Sequence, residues 1–240
     1  MNVMISHLEA HNLTKMYDGS LALEQVNVRA LARQVTSIVG VNGAGKTTFL
    51  RILAGLDTPS EGKILIDAME FRPEELRTHC TMVFQKSVML GGTVYDNVAY
   101  GLRVNRTSKQ DIPSKVKFAL SIVNLNGFEK RKARKLSSGE QQRVAIARAL
   151  ALERDVILID EPTANLDPAN ATIIEQSIKE SAQSRVVLLS THNLPQARRL
   201  SHRTVHLHRG RVVEEGDTAS FFANPRDKRT KLFINGELQF

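Results

Sequence analysis

The chain has 240 residues, 42% of them hydrophobic and 24% charged, and it carries a formal charge of +8 at pH 7. This size and composition are typical of one substantial globular domain, and no apolar run approaches the roughly 18 residues of a membrane-spanning helix. The single cysteine, Cys80, excludes an internal disulfide framework, and the absence of a signal-peptide pattern predicts a cytoplasmic protein.

Strand-like and helix-like stretches alternate along the chain, which predicts an α/β fold with a largely parallel sheet covered by helices. Residues 204–207 and 211–214 flank Arg209-Gly210 and indicate a hairpin. The other predicted strands are 34–39, 61–67, 81–84, 156–159 and 186–189.

Helical signals dominate between about residues 88 and 152. Asp111-Ile112-Pro113 opens one helix with a proline in its first turn, and a second helix begins at Ser137 or Ser138 and continues to Leu150. We therefore expect a single domain over 1–240 with an inserted helical lobe. The predicted boundaries are a core lobe at about 1–87 and 153–220, a helical lobe at about 88–152, and a tail at about 221–240 that forms a short helix on the core.

The segment 40–47 is a complete phosphate-binding loop between a predicted strand and a predicted helix. Glycines allow the backbone to wrap around an anion, and the helix N-terminus adds N–H donors. Lys46 is placed to reach the β- and γ-phosphates, and the Thr47 hydroxyl is placed to bind Mg²⁺. The predicted nucleotide-binding residues of this loop are Gly40, Val41, Asn42, Gly43, Ala44, Gly45, Lys46, Thr47 and Thr48.

Two carboxylates follow the apolar run 156–159, at the end of a strand that is predicted to be buried. Asp160 is placed to hold Mg²⁺ through water, and Glu161 is placed to orient or deprotonate an attacking water molecule. Two ordinary acidic residues at a strand end are the alternative. The loop upstream favours the functional interpretation.

The sequence Ser137-Ser138-Gly139-Glu140 opens the second long helix. Free N–H groups and the helix dipole make its N-terminus a second candidate anion site. By itself the pattern is equally consistent with an ordinary helix cap.

In combination, these motifs resemble the ATP-binding cassette (ABC) ATPases over nearly the whole chain. The resemblance implies a RecA-like P-loop core with a mostly parallel sheet, an N-terminal antiparallel β part and an inserted α-helical lobe, with ATP and Mg²⁺ as cofactors. Lys46, Glu161, His192 and Gln85 are the residues that it makes catalytic, and Thr47, Asp160 and Gln85 those that it places at the metal.

Further roles come from the same resemblance. Tyr17 resembles the aromatic residue that stacks on adenine, and Gln85 the Q-loop glutamine that contacts Mg²⁺ and water. Segment 164–167 resembles the D-loop, and His192 the switch histidine that contacts the γ-phosphate. Ser137, Ser138, Gly139 and Glu140 lie in the family signature, which caps the nucleotide held by a second copy of the chain.

Two signature positions depart from the family pattern. Glu140 stands where many members have glutamine, and this variant is common. Ser138 stands where the first glycine is usual. If that position requires φ > 0, a non-glycine residue costs about 1 kcal/mol.

The resemblance also implies partners. Two copies would form a head-to-tail dimer on transmembrane permease subunits, at the cytoplasmic face of the membrane, and a solute-binding protein would deliver the solute. Segment 93–102 resembles importers. Together with segment 163–168 and the tail, it looks most like ATPase subunits of tungstate importers, with molybdate, phosphate or an amino acid as alternative solutes.

The basic run 130–135 contains five cations in six residues. A solvated face, an anionic membrane or protein partner, and nucleic acid are its three possible explanations. A soluble nucleic-acid-associated cassette ATPase would usually carry tandem cassettes or a long coiled coil, so no nucleic acid is expected as a partner. A nucleotide-binding module without turnover is disfavoured by Asp160, Glu161 and His192.

Overall fold

The computed structural model describes residues 5–237, so the first four residues of the expected core lobe and the last three of the expected tail lie outside it. The chain forms two compact units. The first comprises the described residues up to Met82, Asp155–Glu161, and the described residues from Ala182 onward. The second comprises Val83–Arg154 and Pro162–Ser181.

The elements are numbered in chain order. The strands are β1 (His7–Tyr17), β2 (Ser20–Leu31), β3 (Val35–Val39), β4 (Glu61–Ile66), β5 (Met69–Glu70), β6 (Cys80–Val83), β7 (Val156–Asp160), β8 (Val186–Thr191), β9 (Arg203–His208) and β10 (Arg211–Asp217). The helices are α1 (Lys46–Leu53), α2 (Pro73–His79), α3 (Val94–Val104), α4 (Ile112–Ile122), α5 (Ser138–Ala151), α6 (Pro168–Ala182), α7 (Leu194–Leu200), α8 (Thr218–Ala223) and α9 (Lys228–Ile234).

An antiparallel sheet with strand order β2-β1-β4-β5 forms part of the first unit. Strands β1 and β2 are joined by Asp18 and Gly19, whose φ values of 45° and 81° are both positive. This Asp-Gly pair has the sequence and backbone that a two-residue hairpin turn requires. The expected N-terminal antiparallel part is therefore confirmed.

The second sheet has the order β10-β9-β3-β8-β7-β6. Strand β3 pairs in parallel with β8 and β9, β7 pairs in parallel with β8, and only the hairpin β9–β10 is described as antiparallel. Every residue of β3, β7 and β8 is buried, as the apolar runs 156–159 and 186–189 predict for β7 and β8. The α/β class and the mostly parallel sheet are confirmed.

The tail forms two helices in place of the single expected one. Asp217 caps α8, Asp227 caps α9, and Pro225 lies between them, where it cannot donate a helical hydrogen bond. Phe221 and Phe233 pack with Val39 and Ala197, so both helices bury an aromatic side chain against the first unit.

The second unit is built on helix α5, against which α3 and α4 pack. The observed bounds of α4 and α5 agree with the predicted helices to within one or two residues. The buried guanidinium of Arg143 in α5 donates to the carbonyl oxygens of Val123 and Asn124, at 3.0 Å each, which satisfies backbone acceptors beyond the end of α4. None of the helices in the described chain is both long and apolar enough to cross a bilayer.

Candidate functional site

The phosphate-binding loop connects β3 to α1 and ends in a helix N-terminus without a side-chain cap. The N-cap residue Gly45 has φ 103° and, as a glycine, provides no side-chain cap for the N–H groups of α1. A Cβ at Gly45 would lie 2.7 Å from the carbonyl oxygen of Ala22, so only glycine fits. The first-turn N–H groups of α1 are consequently available to an anion.

Lys46 is the first residue of α1, and its side chain is almost completely buried in the loop. Its Nζ donates to the carbonyl oxygens of Gly40, at 2.9 Å, and Val41, at 3.1 Å, and it lies 3.5 Å from Oε1 of Glu161. The loop thus holds the ammonium group beside Glu161, the candidate general base. Glu161 directly follows β7, which lies two positions from β3 in the second sheet.

Oxygen ligands for a divalent cation meet at the ends of α1 and β7. The Thr47 hydroxyl donates to Oδ2 of Asp160 at 2.8 Å, and the buried Ser190 hydroxyl donates to Oδ1 of the same carboxylate. Mg²⁺ prefers a few such oxygen ligands together with water and phosphate oxygens. The donor set therefore fits Mg²⁺, which Thr47 and Asp160 would hold, and the Ser190 hydroxyl orients the Asp160 carboxylate.

Glu161 has an unusual backbone conformation just beyond β7. Its φ is 43°, in the left-handed region, and its N–H donates to both the carbonyl oxygen and the hydroxyl of Ser190, at 3.1 Å and 3.2 Å. Those contacts hold a conformation that costs of order 1 kcal/mol in a non-glycine residue. The result aims the carboxylate at His192, whose Nδ1 lies 2.9 Å from Oε2.

Tyr17 lies at the end of β1, beside the helix of the phosphate-binding loop. Its hydroxyl donates to Asp57, and the side chain of Thr48, in the first turn of α1, lies next to it. Burial and the neighbouring Asp57 carboxylate raise the pKa of Tyr17, so the ring carries a neutral phenol. Tyr17 is 40% exposed and therefore accessible to a ligand.

The second unit brings the remaining predicted residues together. A cavity of about 340 Å³ is lined by Gln85 and by Ser138 of the signature segment, and Asn165 and Leu166 of the predicted D-loop form another part of its wall. The Q-loop, signature and D-loop segments therefore share one cavity within this unit.

The signature segment begins with a capping box. The Ser137 hydroxyl accepts from the Glu140 N–H at 3.3 Å, and the Glu140 carboxylate accepts from the Ser137 N–H at 2.8 Å. That backbone hydrogen bond lowers the pKa of Glu140. Ser138 is the first residue of α5 and is not among the residues with positive φ. The backbone strain that a positive φ would impose on a serine is therefore absent here.

Gly139 packs against the helix that follows the D-loop. A Cβ at this position would lie 2.5 Å from Nδ2 and 2.8 Å from Oδ1 of Asn170. Asn170 in turn donates to Oδ2 of Asp167 at 2.6 Å. The signature glycine and the D-loop aspartate are thus linked through one amide side chain.

Sequence reasoning missed two of these positioning groups. Ser190 could have been found as a lone serine at the end of the apolar run of β8. Asn170 carries no comparable signal, because its contact with Gly139 exists only once α5 and α6 are packed.

The basic segment 130–135 lies in the second unit, and its five cations are exposed. The Arg131 guanidinium stands 3.7 Å from the ring centroid of Phe128, and Nε of Arg134 donates to the carbonyl oxygen of Met89 at 3.3 Å. Two of the five side chains thus rest on their own unit, which is compatible with a solvated face.

Comparison with known proteins identifies the family to which this chain is similar. Residues 23–164 match the family model described as ABC transporter. The chain is 41% identical over 241 residues to the phosphate import ATP-binding protein PstB 2 of Natronomonas pharaonis, covering 93% of this chain and 84% of that protein. It is 39% identical over 213 residues to the tungstate uptake system ATP-binding protein TupC of Peptoclostridium acidaminophilum, covering 88% and 97%.

A solved structure gives the same picture of the fold. CbiO1 of Clostridium perfringens, part of the ABC transporter complex CbiONQ, superposes with a TM-score of 0.83 at 28% identity, and the match covers 92% of each chain.

Proposed function

The chain belongs to the ABC transporter family, and we propose that it is the ATP-hydrolysing subunit of an importer for a tetrahedral oxyanion. The observation that carries the proposal is the convergence of Lys46, Thr47, Asp160 and Glu161 at the mouth of the phosphate-binding loop. Phosphate and tungstate, the solutes in the names of the two relatives above, are both tetrahedral oxyanions.

Binding of ATP is the first task of these residues. The N–H groups at the start of α1 hold the phosphates, and Lys46 adds a positive charge that the loop has already positioned. Thr47 and Asp160 would hold Mg²⁺, which supplies neutralisation of the phosphate charge when it is bound. Ser190 keeps the Asp160 carboxylate in one orientation, so little conformational entropy is lost when the cation site forms.

Hydrolysis requires a base beside the terminal phosphate. Glu161 is the candidate, because its carboxylate is nearly buried, and it is fixed between Lys46 and His192. It would accept the proton of the attacking water, and His192, which is about half exposed, would hold the carboxylate in place. The family resemblance assigns Gln85 a further role as a ligand of the cation and the attacking water.

A transport cycle would require this chain to act within a larger assembly. We infer a head-to-tail dimer in which Ser137, Ser138, Gly139 and Glu140 of one copy cap the nucleotide on the other. The dimer would sit at the cytoplasmic face of the membrane on two permease subunits, supplied by a solute-binding protein. ATP-driven closure would then move the permease between its two states.

The permease and the solute-binding protein would determine which oxyanion is transported, since this subunit would not contact the solute. The segment and tail resemblances favour tungstate, and relatives named for phosphate import support phosphate. Molybdate shares the same chemistry. An amino acid would not, and its import would contradict the oxyanion proposal.

Uptake by cells that lack the gene tests the proposal. Accumulation of phosphate, tungstate, molybdate and a set of amino acids is measured at low external concentration, with the wild-type chain or Glu161→Gln supplied in trans. We expect the uptake of one oxyanion to be lost in these cells. The wild-type chain should restore it, and Glu161→Gln should not. Unchanged uptake of all three oxyanions, or rescue by both chains, would refute the proposal.

A further inference from the structure

Tyr17 is held at its hydroxyl by a carboxylate that also binds a lysine. Oδ2 of Asp57 accepts the Tyr17 hydroxyl, and Oδ1 accepts Nζ of Lys15 at 2.7 Å. The same Nζ donates to the carbonyl oxygen of Thr58 at 2.7 Å. The cluster of Lys15, Tyr17 and Asp57, here called the tyrosine clamp, ties β1 to the loop that follows α1.

The lysine of the clamp also lies over the aromatic ring. Nζ of Lys15 is 4.7 Å from the ring centroid of Tyr17, within range of a cation–π contact. Lys15 and Asp57 are mostly buried, with 13% and 18% of their side chains exposed, whereas Tyr17 is 40% exposed. The cation therefore covers one side of a ring that still presents surface to solvent.

The clamp lies against the nucleotide-binding helix itself. Thr48, whose side chain lies next to the Tyr17 hydroxyl, directly follows Thr47 in α1. Although burial raises the pKa of Asp57, hydrogen bonds from Lys15 and Tyr17 lower it overall, so the carboxylate stays ionised and accepts both donors. The ring is thereby fixed relative to the helix that holds the phosphates.

We propose that Lys15 and Asp57 are positioning residues that hold Tyr17 as a one-sided stacking platform for the base of the bound nucleotide. Base stacking on an aromatic ring tolerates every base but requires a correctly oriented face. A ring fixed at its hydroxyl and covered on one side loses little freedom when a base stacks on the other side. The inference rests on the proposed function, since it presupposes that the loop binds ATP.

Binding of two ligands to the full-length chain tests the clamp. ATP carries a base, and inorganic tripolyphosphate presents phosphates only, so dissociation constants for both are measured by calorimetry. We expect Tyr17→Ala to weaken ATP binding roughly tenfold and leave tripolyphosphate binding unchanged. Asp57→Ala and Lys15→Met should each weaken ATP binding about threefold to fivefold, again without affecting tripolyphosphate.

A double-mutant cycle tests whether Asp57 positions the Tyr17 ring or instead supports the phosphate-binding loop. If Asp57 acts through the Tyr17 hydroxyl, Asp57→Ala should have a much smaller effect in the Tyr17→Phe background than in the wild type. Glu70→Ala serves as a control, because it breaks an exposed lysine–carboxylate pair with Lys63 in the same antiparallel sheet. It should change neither constant.

Each contrary result is informative. Equal weakening of ATP and tripolyphosphate by Asp57→Ala would overturn the proposal, because the pair would then support the loop and not the ring. Unchanged ATP affinity in Tyr17→Ala would also overturn it. Failure of the proposed function itself is recognised separately, as unchanged ATP binding in Lys46→Ala.

Discussion

The contact between Gly139 and Asn170 makes a sharp prediction for the Gly139→Ala variant. The added methyl group would lie 2.5 Å from Nδ2 of Asn170, closer than carbon and nitrogen atoms approach without a bond. Asn170 can relieve the overlap by rotating its amide away. It then gives up its 2.6 Å hydrogen bond to Asp167, which helps to fix the start of α6.

The magnitude follows from opposing contributions. Insertion of a methyl group into this packed contact costs about 1–3 kcal/mol. Alanine in place of glycine within α5 returns about 0.5–1 kcal/mol, because it restricts the unfolded chain. The expected net loss is about 1–2 kcal/mol, and each kcal/mol lowers the melting temperature of a chain this long by about 2–4 °C.

Thermal unfolding of four proteins provides the assay: wild type, Gly139→Ala, Asn170→Ala and the double variant. Once Asn170 is truncated the overlap disappears, so we expect Gly139→Ala to be neutral or stabilising by about 0.5–1 kcal/mol in that background. Gly91→Ala in the same unit is the matched control, because a Cβ there meets no described atom within 4 Å. Additive effects, or a fully stable Gly139→Ala protein, would refute the reasoning.

Three further predictions concern charged and buried groups. Glu161→Gln keeps the side-chain shape but cannot accept a proton, so ATP hydrolysis should fall roughly 10²–10⁴-fold with ATP affinity retained, and near-normal phosphate release would disprove its role. Ser190→Ala removes the donor to Asp160 and should raise the Mg²⁺ concentration for half-maximal hydrolysis about tenfold or more, whereas Ser177→Ala, another buried serine, should not. Burial and the neighbouring His208 lower the pKa of His206 to about 4 from 6.5, so only the unfolded chain gains this proton between those pH values. Stability should therefore fall by up to about 3 kcal/mol as pH drops from 6.5 to 4 in urea titrations, and His206→Gln should flatten that dependence.

The parts of the fold that local sequence patterns determine were predictable. Apolar runs such as 156–159 and 186–189 predict buried parallel strands, because a strand covered on both faces needs no polar alternation. The phosphate-binding loop was also predictable from a local pattern, because its glycines and Lys46 lie within eight consecutive residues. These features need no knowledge of which strand lies beside which.

Contacts between distant segments were not predictable. Ser190 reaches Asp160 only because β8 lies beside β7, and Lys15 reaches Asp57 only because β1 ends next to the loop after α1. The single helix expected in the tail was wrong for a local reason, since Pro225 separates two capped helices. Tertiary packing, more than propensity, decides which polar groups orient the candidate catalytic residues.

The N-termini of α1 and α5 differ in a way that bears on the proposed dimer. Gly45 leaves the N–H groups of α1 to the triphosphate, whereas in α5 the ionised Glu140 carboxylate already occupies the donors of Ser137. A phosphate that approaches α5 must compete with this carboxylate and is repelled by its charge. One copy should therefore bind ATP at α1 first, and the contribution of α5 from its partner should be weak. A weak second contact favours a clamp that closes on ATP and opens once the terminal phosphate has been released, as an importer that cycles requires.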